Sequence, residues 1–222
     1  MFIKKKEFIG EKMIYPTSLL DNLFEKIKNK QLEGFLPGYG NENAKIMLIG
    51  EAPGKTEVMT NIPFSGKSGK ILDNYLEGIG LYRKDIYLTS TLRSRPYKIK
   101  YCSKGITFPN RKPTSYELIT FSPLLDFEIK EVNPKMIITL GDTALKRILN
   151  KKYKISSMHG QLLYTRIKKL DSKKQLYTYT RNNYYVFPLF HPASIFYNPK
   201  LKNTISNDLN YLNMVLDHLN LR

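Results

Sequence analysis

Short apolar runs alternate with amphipathic segments along most of the chain. Four runs each end at a turn or loop, and their length is typical of strands that are buried on both faces of a sheet; they span residues 45–50, 85–89, 136–141 and 185–190. The segments between them repeat apolar residues at helical spacing. Strands that alternate with helices predict a three-layer α/β domain with a parallel sheet.

Three amphipathic segments have clear apolar faces. Residues 1–34 are predicted to be mostly helical, and residues 68–80 form a second helix that Gly80 ends. A third helix closes the chain, and its apolar stripe consists of Leu209, Leu212, Leu216 and Leu219. These helices supply layers that cover the sheet.

A further helix is predicted to follow a capping box. The box is the segment Thr114-Ser-Tyr-Glu117, in which the Thr and Glu side chains satisfy each other's backbone N–H groups. The helix is expected to run to Val132, with a kink or a break at Pro123. After the third strand, Asp142 or Thr143 is expected to cap another helix.

Two polar stretches interrupt the pattern. Residues 95–113 are basic and irregular, which is typical of a long loop, and residues 151–183 predict hairpins or loops at the edge of the sheet. Neither an internal repeat nor a low-complexity block is present. The chain is therefore read as one domain over residues 1–222, with 1–34 as an N-terminal helical segment and 151–183 as a polar insertion.

The charge of the chain points to a polyanionic partner. It carries 36 Lys and Arg residues against 19 Asp and Glu residues, a net charge of +17. A surplus of this size attracts polyanions, of which nucleic acid is the commonest. General basicity from a Lys-rich, AT-rich genome is the alternative, and charge alone leaves it open.

Composition also excludes several classes of protein. The single cysteine, Cys102, excludes an internal disulfide and any all-Cys metal or iron–sulfur site. No grouping of His, Cys, Asp and Glu has the spacing of metal ligands, so neither a metal nor another cofactor is expected. The chain has no apolar run of about 18 residues, and no apolar segment follows the basic residues at its N-terminus, so a secretory signal is not expected. These absences predict a cytoplasmic protein without a membrane partner.

The first predicted strand ends in residues that can carry chemistry. In an open parallel sheet the ligand lies at the carboxyl ends of the strands. Here that end reads Gly50-Glu51-Ala52-Pro53-Gly54, and Glu57 follows six residues after Glu51. The tight turn exposes backbone N–H groups that can hold a small anionic or carbonyl group. An ordinary turn with solvated acids is an equally good explanation of this segment alone.

Residues 62–70 invite comparison with a phosphate-binding loop. Gly66-Lys67-Ser68 has the right ending, but the pattern requires glycine where the chain has Asn61, so a nucleoside triphosphatase is rejected. Gly66, Lys67 and Ser68 still suit phosphate binding at the start of a helix. Phe64 stands between proline and glycine neighbours, which favours a stacking surface in a loop over a core position.

Two further strand ends supply polar groups. Ser90 and Arg93 follow the second strand, and such groups bind phosphate, although a solvated basic loop is the better explanation of them alone. The fourth strand delivers His191 into a loop of Pro192, Ala193, Ser194, Ile195 and Phe196. A structural histidine at a strand edge is the usual alternative for such a residue.

Taken together, these motifs resemble the uracil-DNA glycosylase superfamily. The resemblance is closest to its family-4 branch, within a Gram-positive-type subgroup that lacks the iron–sulfur cluster, and it covers roughly residues 34–215. The matching elements, in order, are Gly50–Gly54, Glu57, Pro63-Phe64-x-Gly66-x-x-Gly69, Arg95-Pro96 and His191–Ala193. The resemblance implies a three-layer α/β/α sandwich around a four-stranded parallel sheet.

The resemblance also implies roles for residues around an extruded base. Phe64 stacks on uracil, His191 faces uracil O2, and the floor of the pocket consists of Gly50, Glu51 and Ala52. One of the two acids, Glu51 or Glu57, stabilises the cationic sugar and orients or deprotonates water. The two remain equal candidates at this point.

The other implied roles concern DNA, with uracil-containing DNA as the partner of a monomeric enzyme. Base flipping costs a few kcal/mol, and phosphate contacts offset that cost. The candidates for these contacts are Gly66, Lys67, Ser68, Arg93 and Ser194. The loop from Pro192 through Ala193 enters the minor groove, and Ile195 or Phe196 wedges into the base stack.

Two departures from the family pattern matter. Cluster-bearing members have cysteines where this chain has Ser94 and Phe121, so no cluster should bind. Family members usually carry asparagine where this chain has Ser90. Asparagine reads the uracil edge with both a donor and an acceptor, whereas serine has one hydroxyl and a shorter reach. Two alternatives therefore stay open: a non-catalytic DNA-binding protein of the same fold, and a glycosylase for another deaminated base such as hypoxanthine or xanthine.

Overall fold

The computed structural model describes residues 11–103 and 105–222. Its strands are β1 (Glu11–Lys12), β2 (Leu32–Glu33), β3 (Tyr39–Gly40), β4 (Ile46–Gly50), β5 (Ile86–Ser90), β6 (Arg95–Pro96), β7 (Lys100–Cys102), β8 (Gly105–Thr107), β9 (Met136–Leu140), β10 (Leu163–Asp171) and β11 (Leu176–Leu189). Its α-helices are α1 (Thr17–Ile27), α2 (Lys55–Thr60), α3 (Lys67–Gly78), α4 (Ser115–Val132), α5 (Gly141–Ile148), α6 (Ile155–Met158) and α7 (Leu201–His218). Short 3₁₀ helices span Arg83–Asp85 and Pro192–Phe196.

The central sheet is mostly parallel. Within the described residues it has seven strands in the order β1-β3-β5-β4-β9-β11-β10. Strands β5, β4, β9 and β11 pair in parallel, and β1, β3 and β10 add antiparallel strands at the two edges. The predicted α/β class is confirmed, but the sheet is wider than four strands. Strands β1 and β3 were not predicted, because a strand of two residues has no periodicity to detect.

Helices cover both faces of the parallel strands. Every residue of β4 and of β9 is buried, as expected for strands enclosed on two sides. On one face the core contains residues of α1, α4 and α5, such as Leu23, Phe121 and Leu145. On the other face it contains residues of α3 and α7, such as Leu72 and Leu212. The two cores give the molecule three layers.

Helix α4 begins at the predicted capping box. The backbone N–H of Glu117 donates to Thr114 Oγ1 at 3.2 Å, and the N–H of Thr114 donates to Glu117 Oε2 at 2.8 Å. The predicted break at Pro123 is absent, since α4 is one continuous helix. Tertiary packing of the buried side chains around Pro123 offsets the lost backbone hydrogen bond.

Helix α5 starts earlier than its predicted cap. It begins at Gly141, whose φ of +83° suits glycine, so Asp142 and Thr143 lie in its first turn and do not cap it. Asp142 instead accepts a hydrogen bond from the backbone N–H of Ile155 at 3.0 Å. This early start brings the side chains of α5 up to the carboxyl edge of the sheet.

The termini and polar stretches follow the predictions in part. Of the predicted helical segment 1–34, residues 1–10 lie outside the described residues, and the helix found in the remainder is Thr17–Ile27. The polar stretch 151–183 contributes the edge hairpin β10–β11, as predicted. The stretch 95–113 is not a plain loop, because β6 and the hairpin β7–β8 lie within it. No helix of the described chain is both long enough and apolar enough to cross a membrane.

Candidate active site

An open cleft of about 1450 Å³ lies at the carboxyl edge of the parallel strands. Residues at or directly after the carboxyl ends of β4, β5, β9 and β11 all contribute to it. Its walls include most of the residues singled out in the sequence, namely Glu51, Ala52, Glu57, Phe64, Gly66, Lys67, Ser68, Ser90, His191, Ala193, Ser194 and Phe196. We call the part formed by Glu51, Glu57, Phe64, Ser90 and His191 the Glu51 end.

The ring of Phe64 fits the Glu51 end because two glycines leave room for its loop. A Cβ on Gly50 would come within 2.9 Å of the Phe64 ring, and one on Gly69 within 1.6 Å of the Phe64 carbonyl oxygen. Phe64 itself adopts a φ of +53°, a conformation that costs a non-glycine residue free energy. The surrounding structure must therefore hold this loop in place.

Arg83 supplies that restraint, and the sequence pattern did not single it out. Its guanidinium donates to the carbonyl oxygens of Pro63 at 2.7 Å and Phe64 at 2.6 Å. The same group donates to Asp73 Oδ1 of α3 at 2.5 Å. Charged donors to carbonyl groups stabilise more than neutral ones do. Arg83 thus fixes the direction in which the Phe64 ring enters the cleft.

We expect Arg83→Ala to impair any reaction that needs a base stacked on Phe64. Stacking of a base on an aromatic side chain contributes about 1–3 kcal/mol, so the rate should fall roughly 5- to 150-fold if the ring is displaced. The measurement is a double-mutant cycle of Arg83→Ala and Phe64→Ala under single-turnover conditions. If Arg83 acts through Phe64, adding Arg83→Ala to Phe64→Ala costs little more. Full additivity of the two losses would remove Arg83 from this role.

Glu57 is committed to the backbone of two loops. Its Oε2 accepts the N–H of Gly54 at 3.1 Å, and its Oε1 accepts the N–H of Gly66 at 3.0 Å. It thereby ties the start of α2 to the start of α3. Its negative charge also acts on His191 and raises the pKa of that imidazole. Glu57 therefore acts electrostatically on His191, while both of its carboxylate oxygens accept hydrogen bonds from loop backbone.

Glu51 has a different environment. Its Oε2 accepts a hydrogen bond from the hydroxyl of Thr143 in the first turn of α5. Within the described residues its Oε1 has no hydrogen-bond partner, and the side chain lines the cleft. Glu51 is thus an oriented carboxylate with one oxygen available to a ligand or to water. Thr143 is a second residue of the site that the sequence did not assign to it.

His191 is held as a neutral donor. Its Nδ1 accepts the backbone N–H of Ala193 at 3.1 Å, so the proton of the neutral ring is on Nε2. Burial lowers the pKa of His191 below its ordinary value of 6.5, and the charge of Glu57 only partly opposes this. Gly141 permits the close approach of α5, since a Cβ there would lie 3.2 Å from His191 Cβ. The ring is therefore neutral near pH 7.

Ser90 joins this group through the sheet register. It pairs with Gly50 across β4 and β5, which places it beside the Glu51 turn. Its hydroxyl donates to the carbonyl oxygen of Leu92 at 2.5 Å. With its proton used in this way, Ser90 Oγ faces a ligand as an acceptor only.

Three of the predicted DNA contacts need correction. Arg93 is not a phosphate ligand, because it is buried and forms an ion pair with Glu128. Pro192 is buried, and Ile195 packs against the core formed with α3 and α7. Among the predicted wedge residues, Phe196 is therefore the exposed one, at 54%.

The other predicted DNA contacts lie on the cleft wall. Lys67 is exposed at the start of α3, with Gly66 and Ser68 beside it. Ser194 has a buried hydroxyl without a hydrogen-bond partner in the described part of the chain. A buried hydroxyl without a hydrogen-bond partner destabilises the fold, because its desolvation is not compensated; a bound ligand that donates to it or accepts from it would remove this penalty.

The family follows from comparison with known proteins. A model of the uracil DNA glycosylase superfamily matches residues 37–213. The chain belongs to this superfamily. The matched range contains every residue of the Glu51 end, together with Arg83, Thr143 and Gly141.

Several archaeal members of the uracil DNA glycosylase superfamily are similar over most of their length. The type-4 uracil-DNA glycosylase of Sulfurisphaera tokodaii is 34% identical over 174 residues, 78% of this chain and 70% of that protein. That of Archaeoglobus fulgidus is 31% identical over 180 residues, 81% of each chain. That of Saccharolobus solfataricus is 32% identical over 176 residues, 78% of this chain and 72% of that protein.

The residues of this superfamily member do not fit an iron–sulfur cluster. Such clusters require several cysteine thiolates, and the chain has one cysteine. Cys102 lies exposed in the hairpin β7–β8. Ser94 and Phe121, the positions at which the resemblance leads one to expect cluster cysteines, are fully buried. Over the described residues, no group of three or more His, Cys, Asp and Glu side chains is placed to hold a metal ion.

Proposed function

We propose that this protein hydrolyses the N-glycosidic bond of uracil in DNA after flipping the base out of the stack. The observation that carries the proposal is the state of His191. The Ala193 N–H leaves the ring proton on Nε2, and burial keeps the ring neutral. A neutral donor held beside Glu51 and Phe64 in one cleft suits a leaving group that departs as an anion.

The chemistry requires two charges to be stabilised at once. The bond between the sugar C1′ and the base nitrogen breaks, and its electron pair leaves with uracil. His191 donates a hydrogen bond to the uracil anion through Nε2. The carboxylates of Glu51 and Glu57 stabilise the positive charge that develops on the sugar.

Glu51 is the residue that we assign to water. Its unpartnered Oε1 orients a water molecule and takes its proton, while the water oxygen bonds to C1′. Thr143 keeps the carboxylate in position through Oε2. Glu57 supports the same reaction indirectly, since its oxygens hold the loops that carry Gly54 and Gly66.

The loops around the cleft suit an extruded nucleotide. Phe64 offers a face for stacking, and exposed Phe196 can fill the gap that the base leaves in the duplex. Lys67 and Ser68 lie where a phosphate would follow the flipped nucleotide. A phosphate oxygen would also give the buried Ser194 hydroxyl the partner that it lacks.

Ser90 explains how uracil is preferred without the usual asparagine. Its oxygen can accept the N3–H of uracil, whereas cytosine presents a lone pair at the same position. We expect Ser90→Ala to lower uracil excision by roughly tenfold at most, the effect of one neutral hydrogen bond of about 0.5–1.5 kcal/mol. The measurement is the ratio of uracil to cytosine excision in the two proteins. An unchanged ratio would show that Ser90 does not read the base.

A panel of modified bases tests the proposal against its alternatives. Release of free uracil from single-stranded DNA supports the uracil enzyme. Release of hypoxanthine or xanthine instead of uracil would identify a glycosylase for another deaminated base. Binding of DNA without release of any base would favour a non-catalytic protein of the same fold. The activity for which the type-4 relatives are named supports the first outcome.

We also propose an oligomeric state and a cellular location for the protein. We infer a monomer, since one cleft engages one flipped nucleotide at a time. Its net charge of +17 suits DNA as the partner and association with a bacterial-type nucleoid in the cytoplasm.

A further inference from the structure

The cleft is larger than one flipped base requires. Its volume of about 1450 Å³ exceeds the roughly 300–1,000 Å³ that small-ligand pockets usually have. Beyond the Glu51 end it continues along α5 to the hairpin β10–β11. We call this continuation the Lys146 end, and its charged wall residues are Lys112, Asp142, Lys146, Arg147, Lys151 and Lys168.

The two ends differ in charge. At the Glu51 end the two carboxylates are matched by two lysines on the wall, Lys55 and Lys67. At the Lys146 end five basic side chains stand against one acid on the wall, Asp142. Asp142 pairs with Lys146, and although its charge also acts on Lys112, one carboxylate does not neutralise both exposed lysines, Lys112 and Lys151. The surplus cations attract an anion with more than one charge.

One turn of helix joins the two ends. Gly141 packs against His191, and Thr143 donates to Glu51. Between them in sequence, Asp142 pairs with Lys146 one turn further along α5. A nucleic-acid backbone that continues from the Glu51 end across this turn of α5 would therefore place its next phosphates at the Lys146 end.

The hairpin is anchored so that it holds Lys168 at this place. The Lys168 amine donates to the carbonyl oxygen of Lys146 at 2.9 Å and lies 4.0 Å from the centre of the Tyr177 ring. The Tyr177 hydroxyl is in turn 2.8 Å from Ser122 Oγ of α4. Asp126 of the same helix accepts the N–H of Leu170 at 2.7 Å. These contacts fold the tip of the hairpin across α4 and α5.

The crowding of cations there is unfavourable without a ligand. Burial, together with the charges of Arg147 and Lys151, lowers the pKa of Lys168 to about 8. Asp126 opposes this effect only weakly, since it is paired with Arg147. An anion at the Lys146 end would relieve the repulsion among these side chains.

We propose that the DNA strand on one side of the flipped nucleotide crosses the first turn of α5 and enters the Lys146 end. There Lys112 and Lys151 bind its phosphates at the surface, and Lys168 adds charge beneath them. The identity of the ligand as DNA rests on the proposed function. The site itself rests on the shape and charge of the cleft.

The test compares two double variants of equal charge. Lys112→Ser with Lys151→Ser removes two exposed lysines of the Lys146 end. The control, Lys84→Ser with Lys135→Ser, removes two exposed lysines near the starts of β5 and β9, at the opposite edge of the sheet. Binding of a uracil-free single-stranded oligonucleotide is measured over a range of salt concentrations. Excision does not enter this measurement.

We expect the first double variant to flatten the slope of log K against log salt by up to about 1.4, since each phosphate contact on a single strand contributes about 0.7. The control should keep the wild-type slope. Equal slopes in the first variant and the wild type, or an equal loss in the control, would overturn the proposal.

A second measurement separates this proposal from the proposed function. Single-turnover excision is compared on a long oligonucleotide and on a trinucleotide with a central uracil. The Lys112 and Lys151 variant should lose apparent affinity for the long substrate alone. An equal loss on the trinucleotide would contradict a strand contact beyond the flipped nucleotide. Failure of the wild type to excise uracil, with the slope difference retained, would refute the function and leave the DNA site standing.

Discussion

Replacing His191 by alanine is expected to lower the single-turnover rate of uracil excision by about 10²–10³, the usual effect of losing one preorganised donor to a developing anion. The expectation rests on the Ala193 N–H, which fixes the ring proton on Nε2. Binding of DNA should persist, because the proposed contacts from Lys67, Ser68, Lys112 and Lys151 lie outside the His191 loop. Quenched-flow or manual sampling under single-turnover conditions gives the rate, and a filter or anisotropy assay gives the binding.

The pH dependence gives an independent check on His191. Its folded-state pKa lies below 6.5 because burial disfavours the charged ring. The neutral donor is therefore present at and above neutral pH and is lost as the pH falls through the lowered pKa. Protonation of Nδ1 also removes its hydrogen bond from Ala193. The rate should be flat around pH 7 and decline in acid, and the His191→Ala rate should lack that step. A wild-type rate that rises toward acid would contradict a neutral His191.

Replacing Glu51 by glutamine is expected to lower excision by about 10²–10⁴, the range for loss of a general base. The substitution removes the charge that stabilises the sugar cation and the group that takes the proton from water. It keeps the size of the side chain, and the amide oxygen can still accept from Thr143. The fold and the binding of DNA should therefore survive, as circular dichroism and binding assays would show.

Glu57→Gln is the matched comparison for Glu51→Gln. An amide cannot accept from both Gly54 and Gly66, so this variant should loosen the loops at α2 and α3. We expect a smaller loss of rate than in Glu51→Gln, accompanied by a lower melting temperature. A larger loss in Glu57→Gln, without any change in stability, would transfer the role of the base to Glu57.

The sequence predicted the parts of the fold that have strong periodicity. The strands 46–50, 86–90 and 136–140 and the capped helix at Thr114 were found close to their predicted limits. The two-residue edge strands and the hairpin β7–β8 were missed, because so few residues carry no detectable pattern. The rule that a proline inside a helix breaks it did not hold at Pro123, since tertiary packing keeps α4 continuous.

The cleft was predictable where its residues directly follow strands. Glu51, Ser90 and His191 meet because the carboxyl ends of parallel strands share one edge of the sheet. Arg83 and Thr143 were not predictable, since their roles depend on contacts with Phe64 and Glu51 that are distant in sequence. The prediction that Arg93 binds phosphate was wrong, because the sequence alone does not distinguish a buried arginine from a solvated one. Its ion pair with Glu128 is visible only in the structure.

The most direct test of the central claim is alkaline cleavage of a labelled single-stranded oligonucleotide that carries one uracil. The wild-type protein is incubated with it at low salt in the presence of a chelator, and a matched cytosine oligonucleotide serves as the control. We predict cleavage of the uracil strand and none of the cytosine strand. An intact uracil strand, under conditions where the protein binds it, would contradict the assignment of this cleft to uracil excision.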